Sequence, residues 1–187
     1  MITKAELEKL ASKDPKVKYG FAKELLHTAI EDPVSLYPYF NYWTTLVSGT
    51  NNILKWTAID IIGYLSAVDT DDKTDEIIDL FIGILHCGAL ISCNHVIFSL
   101  GLIAKNKEKH RKKIFDEFFL IPEDIFETEE CKNIATGKVL EAIKPFLEEL
   151  KNEEAAVTFI GNAAGSSRNS TRKKAEQLLQ QLEKINQ

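Results

Sequence analysis

No stretch of this sequence is long and apolar enough to read as a bilayer span. The most apolar segment, Leu80 to Cys93, is short and interrupted by His86. Residues Met1 to Lys16 contain no apolar core of the kind a secretory leader needs. Cysteine is scarce: three residues, an odd number without framework spacing, point to reduced thiols and a cytoplasmic setting. An excess of positive charge is also missing. The formal net charge of -5 argues against a general nucleic-acid binder, which usually carries a positive field. There is no Gly-rich phosphate loop, no H-E-x-x-H and no G-x-S-x-G. With no nucleophile, base or oxyanion arrangement in view, a non-enzymatic chain without metal or cofactor is expected. Cys87, Cys93 and His95, with His86 adjacent, match no compact zinc spacing and read as structural residues. Strand-like alternation of apolar and polar residues is absent as well.

What the sequence has in quantity is helical periodicity. The clearest stretch is Asn51 to Ser66, where Leu54, Ala58, Ile61, Ile62 and Leu65 recur at helical spacing. Thr3 with Glu6 is a capping-box signature for a short helix to about Ala11. Asp14-Pro15 is an N-cap followed by proline at the first helical position, opening a helix through Ala29. A helix over Val34 to Val47 follows, with Pro38 placed in its first turn. Further helices are expected over Thr74–His86, Leu90–Ala104, Lys109–Leu120 and Glu129–Ile143. Pro145 must kink the chain there or start a new helix, with a segment expected from Pro145 to Leu150. Helices over Glu153–Ala164 and Ser170–Ile185 complete the reading, the last ending in a frayed terminus. The class is all-α, in a single domain covering 1–187.

Five of these helices repeat one pattern. Ala22, Ala58, Val96, Ala135 and Ala175 occupy equivalent small or branched positions, at consecutive intervals of 36, 38, 39 and 40 residues. Apolar groups follow four residues later at Leu26, Ile62, Leu100, Val139 and Leu179. About fifteen residues earlier in each unit an apolar anchor is expected on a first helix: Trp43, Phe81, Leu120 and Ile160, with Leu7 in a truncated first unit. A fixed period of two short helices is the signature of an α-solenoid, because one hairpin cannot bury its apolar face alone. The segments DPKVKYGFAKELL, NNILKWTAIDIIGYL and NSTRKKAEQLLQQL each resemble a HEAT second helix, and the whole chain resembles HEAT-like or armadillo-like bacterial repeat proteins. That resemblance implies a right-handed α-α superhelix of about five helix pairs. It also implies second helices lining a concave face, and a role as scaffold or partner-binding surface.

At about 100° per residue, positions two before, two after and five after Ala58 lie roughly 140 to 200° from the core side. The equivalent outward rows are Gly20, Trp56, Asn94, Asn133 and Lys173, then Glu24, Asp60, Phe98, Gly137 and Gln177. Trp56 and Phe98 are out of place on a polar side. With Asp60, Asn94, Asn133 and Lys173 they make a candidate surface for an extended peptide: asparagines hydrogen-bond its backbone and aromatics shelve its side chains. Packing of Trp56 and Phe98 on neighbouring helices is the other reading. Two basic stretches, Lys105–Lys113 and Arg168–Lys174, offer an alternative nucleic-acid surface. They also suit solvated turns, and the acidic stretch Asp116–Glu130 is suited to balance either one. A protein or peptide partner is the expectation, with no membrane association.

Overall fold

In the computed structural model, which describes residues 2–185, the chain is all-helical. Its helices are α1 (Lys4–Leu7), α2 (Pro15–Glu31), α3 (Pro33–Leu36), α4 (Phe40–Val47), α5 (Asn52–Leu65) and α6 (Ile78–Leu85). They continue as α7 (Leu90–Asn106), α8 (Glu108–Leu120), α9 (Glu129–Ile143), α10 (Leu147–Leu150), α11 (Glu154–Ala163) and α12 (Asn169–Ile185). The fraying expected beyond Ile185 lies outside the described residues. No helix among the described residues is long and apolar enough to cross a membrane.

Local chemistry explains the boundaries. The Thr3–Glu6 capping box is formed: Glu6 receives the Thr3 amide at 2.8 Å, and Thr3 Oγ1 receives the Glu6 amide at 3.3 Å. Asp14 accepts the Lys16 amide at 2.9 Å to open α2, and Asn51 accepts the Leu54 amide at 3.1 Å to open α5. Each of three prolines produces a 3-10 turn instead of a continuous helix: Tyr37–Tyr39, Ile121–Glu123 and Lys144–Phe146. The helix expected over Val34 to Val47 is therefore broken at Pro38. The break frees the Leu36 carbonyl, which accepts the Trp43 indole N–H at 3.2 Å. Pro145 starts a new segment, as expected.

The five periodic helices pack on one another in chain order: α2 on α5, α5 on α7, α7 on α9 and α9 on α12. Alongside them, α4 packs on α5, α6 on α7 and α11 on α12, while α8 touches both α7 and α11. One apolar core runs through the units from Leu7 to Leu182. The equivalent positions Ala22, Ala58, Val96, Ala135 and Ala175 are all buried in it. So are the anchors Trp43, Phe81 and Ile160. Leu120 is not; it is 44% exposed, and Phe118 fills the anchor position. The proline turn and the extended connector from Asp124 to Glu127 lengthen this unit, moving its anchor two residues further from the next periodic helix.

Polar contacts between units nearly all join one unit to the next. Ser99 Oγ donates to the Ile59 carbonyl at 2.8 Å, and Thr171 Oγ1 donates to the Asn133 carbonyl at 2.7 Å. Each hydroxyl lies against a glycine one turn further along the accepting helix. A Cβ on Gly63 would come within 2.9 Å of Ser99 Cα, and one on Gly137 within 2.7 Å of Thr171 Oγ1. Two junctions thus use the same device: a missing side chain lets the next helix approach until its hydroxyl reaches the backbone.

Candidate functional site

The outward rows are only partly outward. Gly20, Glu24, Phe98, Lys173 and Gln177 are exposed, Trp56 and Asn94 are half-buried, and Asp60, Asn133 and Gly137 are buried. The cause is the stacking itself. An inner second helix packs against its own first helix and against both neighbouring second helices, leaving only a narrow strip free.

Along α5, Trp56, Asp60 and Tyr64 follow at single-turn spacing and meet α7 in a zipper. The Trp56 indole N–H donates to Ser92 Oγ at 3.0 Å, and its ring stacks on His95 with centroids 5.6 Å apart and planes 6° from parallel. Asp60, 9% exposed, receives His95 Nδ1 at 2.9 Å on both carboxylate oxygens. Tyr64 meets Phe98 edge-on, with centroids 5.6 Å apart. Burial pushes the Asp60 carboxyl above its ordinary value, and the bond from His95 opposes this only in part. Burial, then the Asp60 charge, also raise the Tyr64 phenol.

Above this zipper lies a groove of about 660 Å³, bounded by α2, α5, α7, α9 and the proline turn at 144–146. Leu26, Ile91, Phe98, Leu102, Pro145 and Phe146 supply its apolar surface; Asp60, Asn94, His95, Lys105, Lys138 and Glu141 are its polar groups. Ile91 is 53% exposed and Phe98 43% exposed. The Asn94 side-chain oxygen is buried and has no hydrogen-bond partner among the described residues.

Of the expected surface residues, Asp60, Asn94 and Phe98 come together in the groove. Trp56 does not line it; its flat face braces His95 from behind. Asn133 is a correction. Its amide donates to Ser167 at 3.0 Å and accepts from Ser166 at 2.8 Å, so both ends are occupied in holding the turn before α12. Lys173 is exposed on α12 and does not border the groove. His95, Tyr64 and the α9 pair Lys138–Glu141 are additions, and Lys105 joins the groove from the basic stretch 105–113. His95 did carry a signal: apart from Cys93, it is the one ionisable side chain in the apolar run Leu90 to Ala104.

The basic stretch at 105–113 is largely occupied. Lys107 and Lys109 reach Asp72 at 3.1 and 2.9 Å, and Lys109 and His110 both reach Asp75, at 2.8 and 2.7 Å. Arg111 pairs with Glu149 at 2.7 Å, Lys112 with Asp116 at 2.8 Å and Lys113 with Asp79 at 2.5 Å. In the second basic stretch Arg168 pairs with Glu130, and Lys174 with Glu141 at 2.5 Å. The acidic stretch is engaged in turn: His86 lies 2.9 Å from Asp124 and 3.2 Å from Glu117. Cys93 is buried, its thiol pushed up to about 12 chiefly by that burial, whereas Cys87 is exposed. The described residues contain no cluster of three or more His, Cys, Asp or Glu placed to hold a metal ion. Comparison of the chain with protein-family models, curated proteins and solved structures finds no match.

Proposed function

We propose that this chain is a non-enzymatic interaction module whose groove along the second helices holds a peptide segment of a partner protein. The architecture we propose is a right-handed α-α superhelix of about five helix pairs, the first truncated, of HEAT- or armadillo-like type. Unit-to-next-unit packing supports it. So do the side-chain bonds that span one repeat, such as Asp60 to His95 and Arg111 to Glu149.

The observation that carries the binding reading is the groove. Its volume falls in the range of ligand sites, roughly 300 to 1,000 Å³, and large apolar side chains stay exposed there beside an unpartnered amide oxygen. The Asp60–His95 pair has the form of a base and its orienting group, but neither nearby serine is set as a nucleophile. Ser99 donates to the Ile59 carbonyl, and Ser92, which accepts the Trp56 indole N–H, makes no hydrogen bond to His95 among the described residues. Nucleic-acid binding through 105–113 is disfavoured because most cations there already have carboxylate partners one unit away. The test is to pan a displayed random-peptide library against wild type, Phe98→Asp and Ile91→Asp. Wild type should enrich binders that both variants release. Equal retention by the variants would move the binding surface out of the groove.

A further inference from the structure

Resting on that groove reading, we infer that the bound segment is acidic as well as apolar, with a bulky apolar side chain followed about three residues later by a carboxylate. The apolar side chain sits on Ile91 and Phe98, and the carboxylate pairs with Lys105. These three residues follow at seven-residue spacing along α7 and so form one stripe on the groove side of the helix. Each is exposed. Seven helical residues advance by about 10 Å, which an extended peptide covers in roughly three residues.

An unpaired cation on the rim sets the sign. Lys105 has no ion-pair partner among the described residues, unlike the cations from Lys107 to Lys113 that follow it. Across the groove, Glu141 is shared by Lys138 at 2.9 Å and Lys174 at 2.5 Å, so one carboxylate faces two lysines. The other acidic group, Asp60, is held by His95. Lys105 and Lys138 equal Asp60 and Glu141 in number, and Lys105 is the lining cation left without a carboxylate partner among the described residues. Asn94, between Ile91 and Phe98 on the same stripe, has a buried, unpartnered oxygen that a turn of its side chain would present to a backbone N–H of the ligand. A peptide supplies that donor. A phosphate backbone supplies none and needs a row of cations where the groove has one without a partner.

The experiment uses three fluorescein-labelled peptides of equal length. They share a phenylalanine and differ only at the third residue after it: glutamate, lysine or serine. Each is titrated by anisotropy against wild type, Lys105→Glu and Phe98→Asp, with a labelled oligouridine as a fourth probe. Circular dichroism checks that each variant remains helical. Wild type should bind the glutamate peptide about fivefold more tightly than the lysine peptide, as for a largely exposed ion pair, and Lys105→Glu should reverse that order. Equal or tighter binding of the lysine or serine peptide, or an order unmoved by Lys105→Glu, overturns the ligand chemistry while leaving a peptide groove standing. Undiminished binding of the glutamate peptide by Phe98→Asp overturns the groove reading as well. Tighter binding of oligouridine than of any peptide, or no measurable peptide binding, overturns the inference outright.

Discussion

Asp60 and Asp69 are both buried aspartates in the same unit, yet their surroundings differ. Asp69 has no exposed side-chain surface and receives the Tyr37 hydroxyl at 2.6 Å, the Thr74 hydroxyl at 2.6 Å and the amides of Lys73 and Thr74 at 2.9 and 3.0 Å. Lys107 approaches it at 3.5 Å from the following unit. Tyr37 comes from the first helix of the same unit, so a single carboxylate ties that unit to the next. Asp60 has only His95. Burial alone would raise both carboxyls. At Asp69 the bonds from Thr74, Tyr37 and the backbone amides outweigh burial and hold it well below the usual range, while at Asp60 burial prevails. A buried charge with every lone pair engaged is a structural tie. One left with a single partner at the floor of an open groove still has chemistry to offer.

The sharpest way to break this comparison is Asp69→Ala. Removing the acceptor strands two hydroxyls and two amides in a dry site, and urea unfolding should show a loss of about 4 kcal/mol. A loss below about 1 kcal/mol would mean that water replaces the carboxylate easily, and the tie would be dismissed. The acid limb of stability is the next test. A folded-state pKa held below the ordinary 3.8 gives stability that is fully present above that value and lost as pH falls through it towards the folded value. Asp69→Asn should flatten that limb. Asp60 has the opposite sign: its raised folded value gives stability present below 3.8 and lost as pH rises through the folded pKa. Asp60→Asn should therefore steepen the acid limb. Equal slopes in the two variants would erase the distinction.

The same contrast separates what was legible in the sequence from what was not. Ala58, Val96 and Ala135 were legible because a helix repeats every few residues whatever surrounds it. Phe118, not Leu120, fills its anchor position because the length of the connector before α9 shifts the count, which no local pattern reveals. Asp60, Asn94 and Phe98 were placed on the side away from the core, and they do border the groove. Asn133 occupies the equivalent row and is buried, because α12 approaches closely over Gly137 and the turn before it closes around the amide. How near consecutive second helices come is set by glycine and hydroxyl pairs 36 and 34 residues apart, Gly63 with Ser99 and Gly137 with Thr171. Asp69 lies in a polar turn, and a polar turn reads alike whether it is solvated or knotted.

A smaller effect is expected at Asp60 in neutral buffer. Asp60→Asn keeps an acceptor for His95 Nδ1 and removes a partly desolvated charge, so unfolding should shift by no more than about 1 kcal/mol. A loss as large as that of Asp69→Ala would make Asp60 a second structural tie.

A modest stability effect is expected of Phe98→Ser, and it is the most informative about function. Phe98 leaves 43% of its surface to solvent and has Tyr64 as its one aromatic contact among the described residues. Deleting the ring forfeits the somewhat more than half of its surface that is buried, and the serine hydroxyl is left free to reach water. Unfolding should move by about 1 to 2 kcal/mol, short of the loss for a fully buried phenylalanine. A ring kept for packing would fail this test in the other direction, with a loss of 3 kcal/mol or more, as for a buried phenylalanine. Should the loss be small, exposure of an aromatic ring in a groove lined with Ile91 and Leu102 has no stabilising explanation. The ring is then free surface held ready for a ligand, and the same variant should lose peptide binding while remaining folded.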